Sequence, residues 1–429
     1  MPEIITTTNP RTRSSRQLLV ASGAALVAFL AYSAVYAYRK PFTTATFTGV
    51  SFWGVSYQTW LIISQVIGYM LSKFAGIRFI AELKRNGRWK TSVMLVGIAW
   101  ISLFFFAITP APYGMIWLLI NGFMLGFMWG IIFSYVEGRR ATDFIGTVMA
   151  ISFIFAGGFT RSVAGWLMTE WGVTEKWMPF VTGLVFIGPY LLFIFLLERL
   201  PPPDKEDVKE RTQRQPMNAT ERRAFIKKFG VGIVMVSITY LFLTIIRDIR
   251  DNYMVNIWSE LGYKDDYSLF ARSETQISLI LLGTMALLAL IRKNMEAFRV
   301  IHVVIAIGFI LAGISSWLFI QGLINGRLWM QLVGLGLYMS YIPFNCIFFE
   351  RMIAAFRIQG NVGFLIYIAD AFGYLGSVTI MLTKEFMDID PGWAGFYSHA
   401  VVIGSLISLA GIMASWGYFN KKYYTQNSR

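Results

Sequence analysis

Twelve stretches of this chain are each long and apolar enough to cross a lipid bilayer, and no other feature constrains its fold as tightly. They run 17–38, 52–74, 91–108, 114–136, 144–168, 178–197, 230–249, 274–291, 300–320, 328–349, 361–383 and 397–419. A spanning helix needs roughly 20 apolar residues. Inside the hydrocarbon layer no water bonds to peptide groups, so only helices and closed barrels can cross it. Barrel strands alternate apolar and polar residues over about ten positions, whereas these runs are longer and continuous. The predicted class is therefore an all-α, multi-pass integral membrane protein with twelve transmembrane helices. A chain that is 56% hydrophobic and only 14% charged has the matching composition.

Charge then sets the topology. A formal net charge of +14 suits a nucleic-acid partner when it is clustered on one face. Here, with the N-terminus placed in the cytoplasm, the outer loops hold only Lys176, Lys264, Arg327 and Lys384. That asymmetry predicts both termini in the cytoplasm and makes the basic charge a topology signal, with no nucleic-acid partner. The first apolar run follows Arg11, Arg13 and Arg16. It exceeds the 7–15 residues of a signal-peptide core and eleven more runs follow, so it reads as a retained helix. The lone cysteine, Cys346, lies within the tenth run, which excludes an intramolecular disulfide and a thiolate metal site. His302 and His399 are far apart and read as structural or interfacial. There is no phosphate-cradling loop, no metal-ligand spacing and no Ser/His/Asp or Cys/His arrangement, so no enzyme activity, metal or cofactor is expected.

One polar stretch interrupts the apolar pattern. It runs from Glu198 to Lys228 and holds Pro201-Pro202-Pro203 and the basic cluster Arg222, Arg223, Lys227 and Lys228. The predicted organisation is an N-terminal six-helix half (1–198), a cytoplasmic central loop (199–228) and a C-terminal six-helix half (229–429). The halves echo each other. The first and seventh runs end in charged pairs, Arg39-Lys40 and Arg247-Asp248. Asn121-Gly-Phe-Met-Leu-Gly126 in the fourth run has a counterpart in Gly334-Leu-Gly336 of the tenth, and Ala156-Gly157-Gly158 of the fifth in Gly373 and Gly376 of the eleventh. Small residues let helix backbones approach closely, and such duplication places a solute site near the midplane between two pseudo-symmetric halves.

An arginine at bilayer depth costs at least ~2.5–3.5 kcal/mol on insertion scales, so it marks a functional site by default. Arg39 and Arg247 hold equivalent places and are expected to form the two jaws of an anion site. A guanidinium offers a planar, permanently charged fork of donors that matches two oxygens of a phosphate. The competing reading is that both snorkel into the outer headgroups, since about 22 residues at 1.5 Å each already span the membrane. Lys40, Lys73 and Arg161 are further candidate cations, and Tyr36, Tyr38, Asn121 and Tyr341 candidate neutral donors. Asp248 and Asp251, the latter an i,i+4 partner of Arg247, read either as plain ion pairs capping the outer end of the helix or as gating residues. Asp370, inside the eleventh run, needs a partner or a proton. Arg161 and Lys73 are the expected partners, and proton coupling is the other reading.

The words along the chain resemble those of the major facilitator superfamily and, within it, of the organophosphate:phosphate antiporter family. They are Tyr36-Ala-Tyr-Arg39-Lys40-x-Phe42, Gly68-Tyr-Met-Leu-Ser72-Lys73-Phe74, the Asn121-to-Trp129 run, Ile245-Ile-Arg247 and Phe372-Gly-Tyr-Leu-Gly376. They keep family order and rough spacing across both halves. The resemblance implies a monomeric carrier in a bacterial inner membrane that exchanges a phosphorylated organic anion for phosphate, with Arg39 and Arg247 as the substrate arginines and Lys73 as the family's helix-two lysine. Two departures leave the substrate open. The family's site histidine falls near Ile154, and the Gly-x-x-x-Asp-Arg loop word is only partly present, from Gly76 to Lys90. Other expectations are a proton-coupled carrier of sugars, peptides or drugs using Asp370, and a transporter-like membrane sensor of an organophosphate.

Overall fold

The computed structural model describes residues 10–82, 87–137, 142–201, 219–264, 266–357, 363–386 and 392–427. Every predicted apolar run falls on a helix or on consecutive helices. The N-terminal half contains α1 (Pro10–Tyr36), α2 (Tyr57–Glu82), α3 (Arg88–Ile108), α4 (Met115–Leu125), α5 (Met128–Val136), α6 (Thr142–Glu170) and α7 (Met178–Glu198). The C-terminal half contains α8 (Ala219–Asn252), α9 (Met254–Glu260), α10 (Ser268–Ala289), α11 (Asn294–Ile320), α12 (Gly326–Pro343), α13 (Phe349–Ala355), α14 (Gly363–Phe386) and α15 (Trp393–Asn427). Among the described residues, eight stretches are long and apolar enough to cross a membrane, and Val20–Tyr36 adds a shorter one. Polar residues dilute α2 (Gln58, Gln65, Lys73) and α10 (Arg272, Glu274, Gln276). Both of these helices lie on the seams between the halves.

The structure corrects the predicted boundaries in four places, each with a local cause. The second run starts late because Ser51–Phe52 (β1) and Val55–Ser56 (β2) form a small antiparallel hairpin. Its two-residue turn, Trp53-Gly54, has φ of 54° and 76°, the left-handed geometry that such tight links require. The fourth run breaks between α4 and α5 at Gly126, where an added Cβ would lie on the Ser72 hydroxyl. The tenth run passes through a π turn, Phe344–Phe348, directly after Pro343, which has no N–H to continue the α ladder. Residues 219–228, predicted as loop, already belong to α8; 202–218 lie outside the described residues.

Within the N-terminal half α1 packs on α6, and α2 and α3 pack on α4; within the C-terminal half α11 packs on α12 and α15, and α8 on α14 and α15. The halves meet along two seams, α6 with α10 and α2 with α14. Glycine makes the tightest crossings possible. A Cβ at Gly68 of α2 would stand 2.0 Å from the Leu119 carbonyl oxygen on α4, and one at Gly158 of α6 would stand 2.5 Å from the Phe270 carbonyl oxygen across the seam. Leu184, Leu192 and Phe195 on α7 and Leu279 and Leu287 on α10 point outward, as residues facing lipid do. This is an all-helical, multi-pass integral membrane protein.

Gly68→Ala is expected to lower the melting temperature of the purified protein, at a cost of about 1–3 kcal/mol for overpacking. Gly97→Ala, where nothing lies within 4 Å of the new methyl group, is expected to leave it unchanged. Equal melting temperatures for all three proteins would contradict the close α2–α4 crossing.

Candidate functional site

The direction in which α1 ends decides where its arginine goes. Beyond Tyr36 the backbone tightens, with Ala37 N–H donating to Ala34 O at 3.2 Å and Lys40 N–H to Tyr36 O at 2.9 Å. Pro41 then opens a buried 3-10 turn, Pro41–Thr44, where its missing N–H costs nothing. This turn packs against α6 and α7, so Arg39 and Lys40 face the protein interior rather than the headgroups. The Arg39 guanidinium lies over the Tyr69 ring, 4.0 Å from its centroid, with the Tyr36 ring 5.7 Å away. Its Nε is buried without a hydrogen-bond partner. Among the described residues no carboxylate pairs with Arg39.

Two of the expected ligands build the turn instead of lining the site. Asn121, fully buried on α4, donates to the carbonyls of Tyr38 and Ala99 at 3.0 Å each and accepts from Gln65 Nε2 at 2.8 Å. Gln65 Nε2 also donates to the Arg39 carbonyl at 2.9 Å. Tyr38 turns away to an edge contact with Tyr190 of α7. Together, Asn121 and Gln65 fix the backbone that presents Arg39. Tyr36 and Tyr341 do reach the two arginines. Lys73 sits 4.9 Å from the Tyr69 ring centroid, so the ring beneath Arg39 also meets Lys73.

Arg247 mirrors Arg39 in form but not in charge balance. Its guanidinium lies 4.1 Å from the Tyr341 ring centroid and donates to Asp248 Oδ1 at 2.6 Å. Asp248 Oδ2 in turn accepts from Ser377 of α14 at 3.0 Å. Between the two cations, Tyr69 and Tyr374 meet edge to face across the α2–α14 seam, with centroids 5.9 Å apart. The Tyr374 phenol is near enough to act electrostatically on both guanidiniums.

The expected Arg247–Asp251 pair is replaced by a different one. Asp251 reaches across to the other half, its Oδ2 2.5 Å from Lys40 Nζ and its Oδ1 2.9 Å from Arg161 Nη2. Arg161 is fully buried. It also bonds the Asp251 carbonyl, Thr43 Oγ1 (3.0 Å) and Gly157 O (2.9 Å). Lys40 Nζ donates further to Asn252 Oδ1 at 2.9 Å. Among the described residues the bonds of Arg161 run to Asp251, Thr43 and Gly157. The Asp370 backbone is in α14, and its side chain lies outside the described residues.

Near this clasp, further contacts between the N-terminal and C-terminal helices come from residues that periodicity did not single out. Gln58 and Asn256 exchange amide hydrogen bonds, both 3.0 Å. Thr59 Oγ1 and Tyr253 Oη are 2.5 Å apart. Glu385 accepts from the hydroxyls of Ser56 and Thr59, each at 2.6 Å. Inside the C-terminal half, Arg250 Nη2 donates to buried Glu274 at 2.7 Å. Glu274 had one available signal, a single acid inside an apolar run. Among the described residues, the two ion-paired carboxylates here are Asp248 at Arg247 and Asp251 at Lys40 and Arg161, and none is paired with Arg39.

Residues 41–422 match DUF5690, a family of unknown function. The chain belongs to this family. No curated protein matches it by sequence. Solved structures do share the fold of this DUF5690 protein. The nucleoside transporter NupG superposes with a TM-score of 0.61 at 14% identity, covering 93% of this chain and 99% of NupG. The inward-open xylose transporter XylE from E. coli gives 0.56 at 16% identity, with 93% and 95% covered. A bacterial homologue of the human lysosomal transporter Spinster gives 0.53 at 12% identity, with 95% and 97% covered. At these identities the likeness establishes the fold alone, the one that these transporters share.

Asp251→Ala would leave Lys40 and Arg161 buried against each other without their carboxylate, at a cost of about 3 kcal/mol. A clear drop in melting temperature is expected, partly recovered when Lys40→Met is added. A single variant as stable as the parent would contradict the clasp.

Proposed function

We propose that this DUF5690 protein is a secondary active transporter of a small organic anion, most plausibly a phosphorylated one, that exchanges it for phosphate. In this reading twelve helices cross the membrane in two pseudo-symmetric six-helix halves, 1–198 and 229–429, joined by a cytoplasmic connection, with both termini in the cytoplasm. The observation that carries it is Arg39, which has an aromatic floor, a buried and unpartnered Nε and no carboxylate among the described residues. A permanently charged fork in such a setting is short of an anion.

The geometry supports a simple cycle. With the outer end closed, Asp251 occupies Lys40 and Arg161. An anion arriving from the cytoplasmic side is held by Arg39 from one half and Arg247 from the other, and it draws on the same local positive charge that binds Asp251. Weakening the clasp lets the halves rock apart at the outer end, with the anion between them. An empty carrier keeps the clasp, so return without cargo is slow and exchange is favoured. Asp248 lowers the charge at Arg247, which favours a singly or doubly charged solute over a more highly charged one.

A second reading has one specific support. NupG and XylE are transporters of a nucleoside and of xylose. The tyrosines around Arg39 and Arg247 offer the phenolic hydroxyls and ring faces that suit an uncharged polyol. In that case Arg39 would hydrogen-bond a neutral solute.

Counterflow in proteoliposomes separates the two. Labelled phosphate is expected to enter vesicles preloaded with unlabelled phosphate. Arg39→Ala and Arg247→Ala should each reduce the rate by two orders of magnitude or so, the scale of losing one charge-assisted, bidentate contact. Labelled xylose or uridine entering while phosphate does not would overturn the anion assignment.

A further inference from the structure

The end of α8 opposite the clasp carries a second group of cations. Lys227 and Lys228 lie near the start of α8, and Lys421 and Lys422 near the end of α15, which packs along it. Lys422 Nζ donates to the Lys228 carbonyl oxygen at 2.6 Å, and Tyr418 Oη donates to the same oxygen at 3.1 Å. Gly232 makes room for the Tyr418 ring, since a Cβ there would lie 2.6 Å from it. These bonds hold the two lysine pairs at one level. Lys228 Nζ and Lys422 Nζ lie 5.3 and 5.7 Å from the centroid of one ring, that of buried Phe229. Among the described residues no carboxylate forms an ion pair with any of the four lysines. Ammonium groups gathered in this way repel each other, and an anion beside them offsets the repulsion.

Depth and surroundings indicate which anion. Lys228 stands about 34 Å of helix away from Asp251 at 1.5 Å per residue, roughly one hydrocarbon thickness. The lysines therefore fall at headgroup level when the clasp lies near the opposite face. Toward the membrane interior, the exposed surface of both helices is apolar. Lys227 shares one helical face with Val231, Val234 and Ile238, which are 58%, 57% and 45% exposed. On α15, exposed Leu406, Met413 and Gly417 lead along one face to exposed Lys421. Each lysine pair thus tops a stripe that faces acyl chains. A soluble anion would use the lysines alone, whereas an anionic phospholipid uses the lysines and both stripes.

We propose that the groove between α8 and α15 is a binding site for an anionic phospholipid of the leaflet at this end of the two helices. Its phosphate lies among Lys227, Lys228, Lys421 and Lys422, and its acyl chains run along the Val231–Val234 and Leu406–Met413 stripes. A lipid seated there joins α8 to α15. It thereby steadies the helix whose far end carries Asp248 and Asp251.

Native mass spectrometry of the full-length protein in detergent tests the site, with dioleoyl phosphatidylglycerol and dioleoyl phosphatidylcholine as the two probes. The first phosphatidylglycerol is expected to bind at least about tenfold more tightly than phosphatidylcholine, since a lysine near an anionic headgroup is worth about fivefold. Lys227→Gln, Lys228→Gln and Lys421→Gln combined should weaken that binding on the order of a hundredfold and abolish the preference. All three side chains are exposed, so the lipid-free melting temperature should match the parent's. Lys90→Gln, Arg292→Gln and Lys293→Gln combined remove as many exposed charges from other helix ends on the same side and should keep the preference. Equal binding of the two lipids by the parent, or a preference that survives in the first variant, would overturn the site. An equal loss in both variants would overturn it too, by showing diffuse attraction to the whole basic face. Millimolar inorganic phosphate should leave the lipid bound; displacement would mark a soluble-anion site instead and overturn the lipid assignment. Bound lipid is counted here and not flux, so failure of the transport reading and failure of the lipid site remain distinguishable.

Discussion

The sharing of one carboxylate, Asp251, between two buried cations of the opposite half is the interaction on which the rest of this structure depends. Lys40 and Arg161 cannot stay in the interior without it, because an unpaired ammonium or guanidinium carries a desolvation penalty of several kcal/mol. Its placement is equally constrained. Lys40 is fixed by the Pro41–Thr44 turn, Arg161 by Thr43 and Gly157, and Asp251 by the last turn of α8. Three elements, two from the N-terminal helices and one from the C-terminal helices, converge on one point there. A buried pair of this kind contributes little net stability compared with apolar packing, and its best-attested use is to specify one arrangement over another. In the proposed transport cycle, that specification is the role we assign to it.

The two arginines behind the clasp show how a membrane interior tolerates charge. Each is laid on a tyrosine ring, which supplies a negative π face in a medium with little water. They differ in one respect that matters for chemistry. Arg247 has Asp248 as a neighbour, whereas among the described residues Arg39 lies against the Tyr69 and Tyr36 rings with no paired carboxylate. In the proposed anion site this asymmetry would make Arg39 the primary anchor and Arg247 the adjustable one. Asn121 and Gln65 do not touch a solute in this account, but they set the backbone geometry of the anchor.

Much of the fold was legible in the sequence because hydrophobic runs of membrane length admit one secondary structure. The breaks inside those runs were less legible. The close crossing at Gly126, where an added Cβ would meet Ser72 of a neighbouring helix, is a contact that a run of apolar letters does not report. Of the candidate site, the charges were readable. Arg39, Lys40, Arg161, Arg247 and Asp251 stood out in the sequence as charges at the wrong depth, and the structure joins Asp251 to Lys40 and Arg161. Their pairing was not readable. Helical spacing suggested that Asp251 would face Arg247 four residues earlier, but pairing is decided by which helix of the other half lies opposite. Gln58, Asn256 and Glu385 were missed because neutral amides and a carboxylate near a membrane surface look like ordinary solvated residues until the halves are docked.

The central claim is that Asp251 is an internal anion competing with solute for the site's positive charge, and phosphate affinity tests it most directly. Calorimetric titration of inorganic phosphate into the purified parent and into Asp251→Asn, which keeps the side chain's size, is the measurement to make. The account predicts that phosphate binds the variant roughly tenfold more tightly, since a competing carboxylate worth about 1.4 kcal/mol has been removed. Unchanged or weaker binding by a well-folded variant would contradict it.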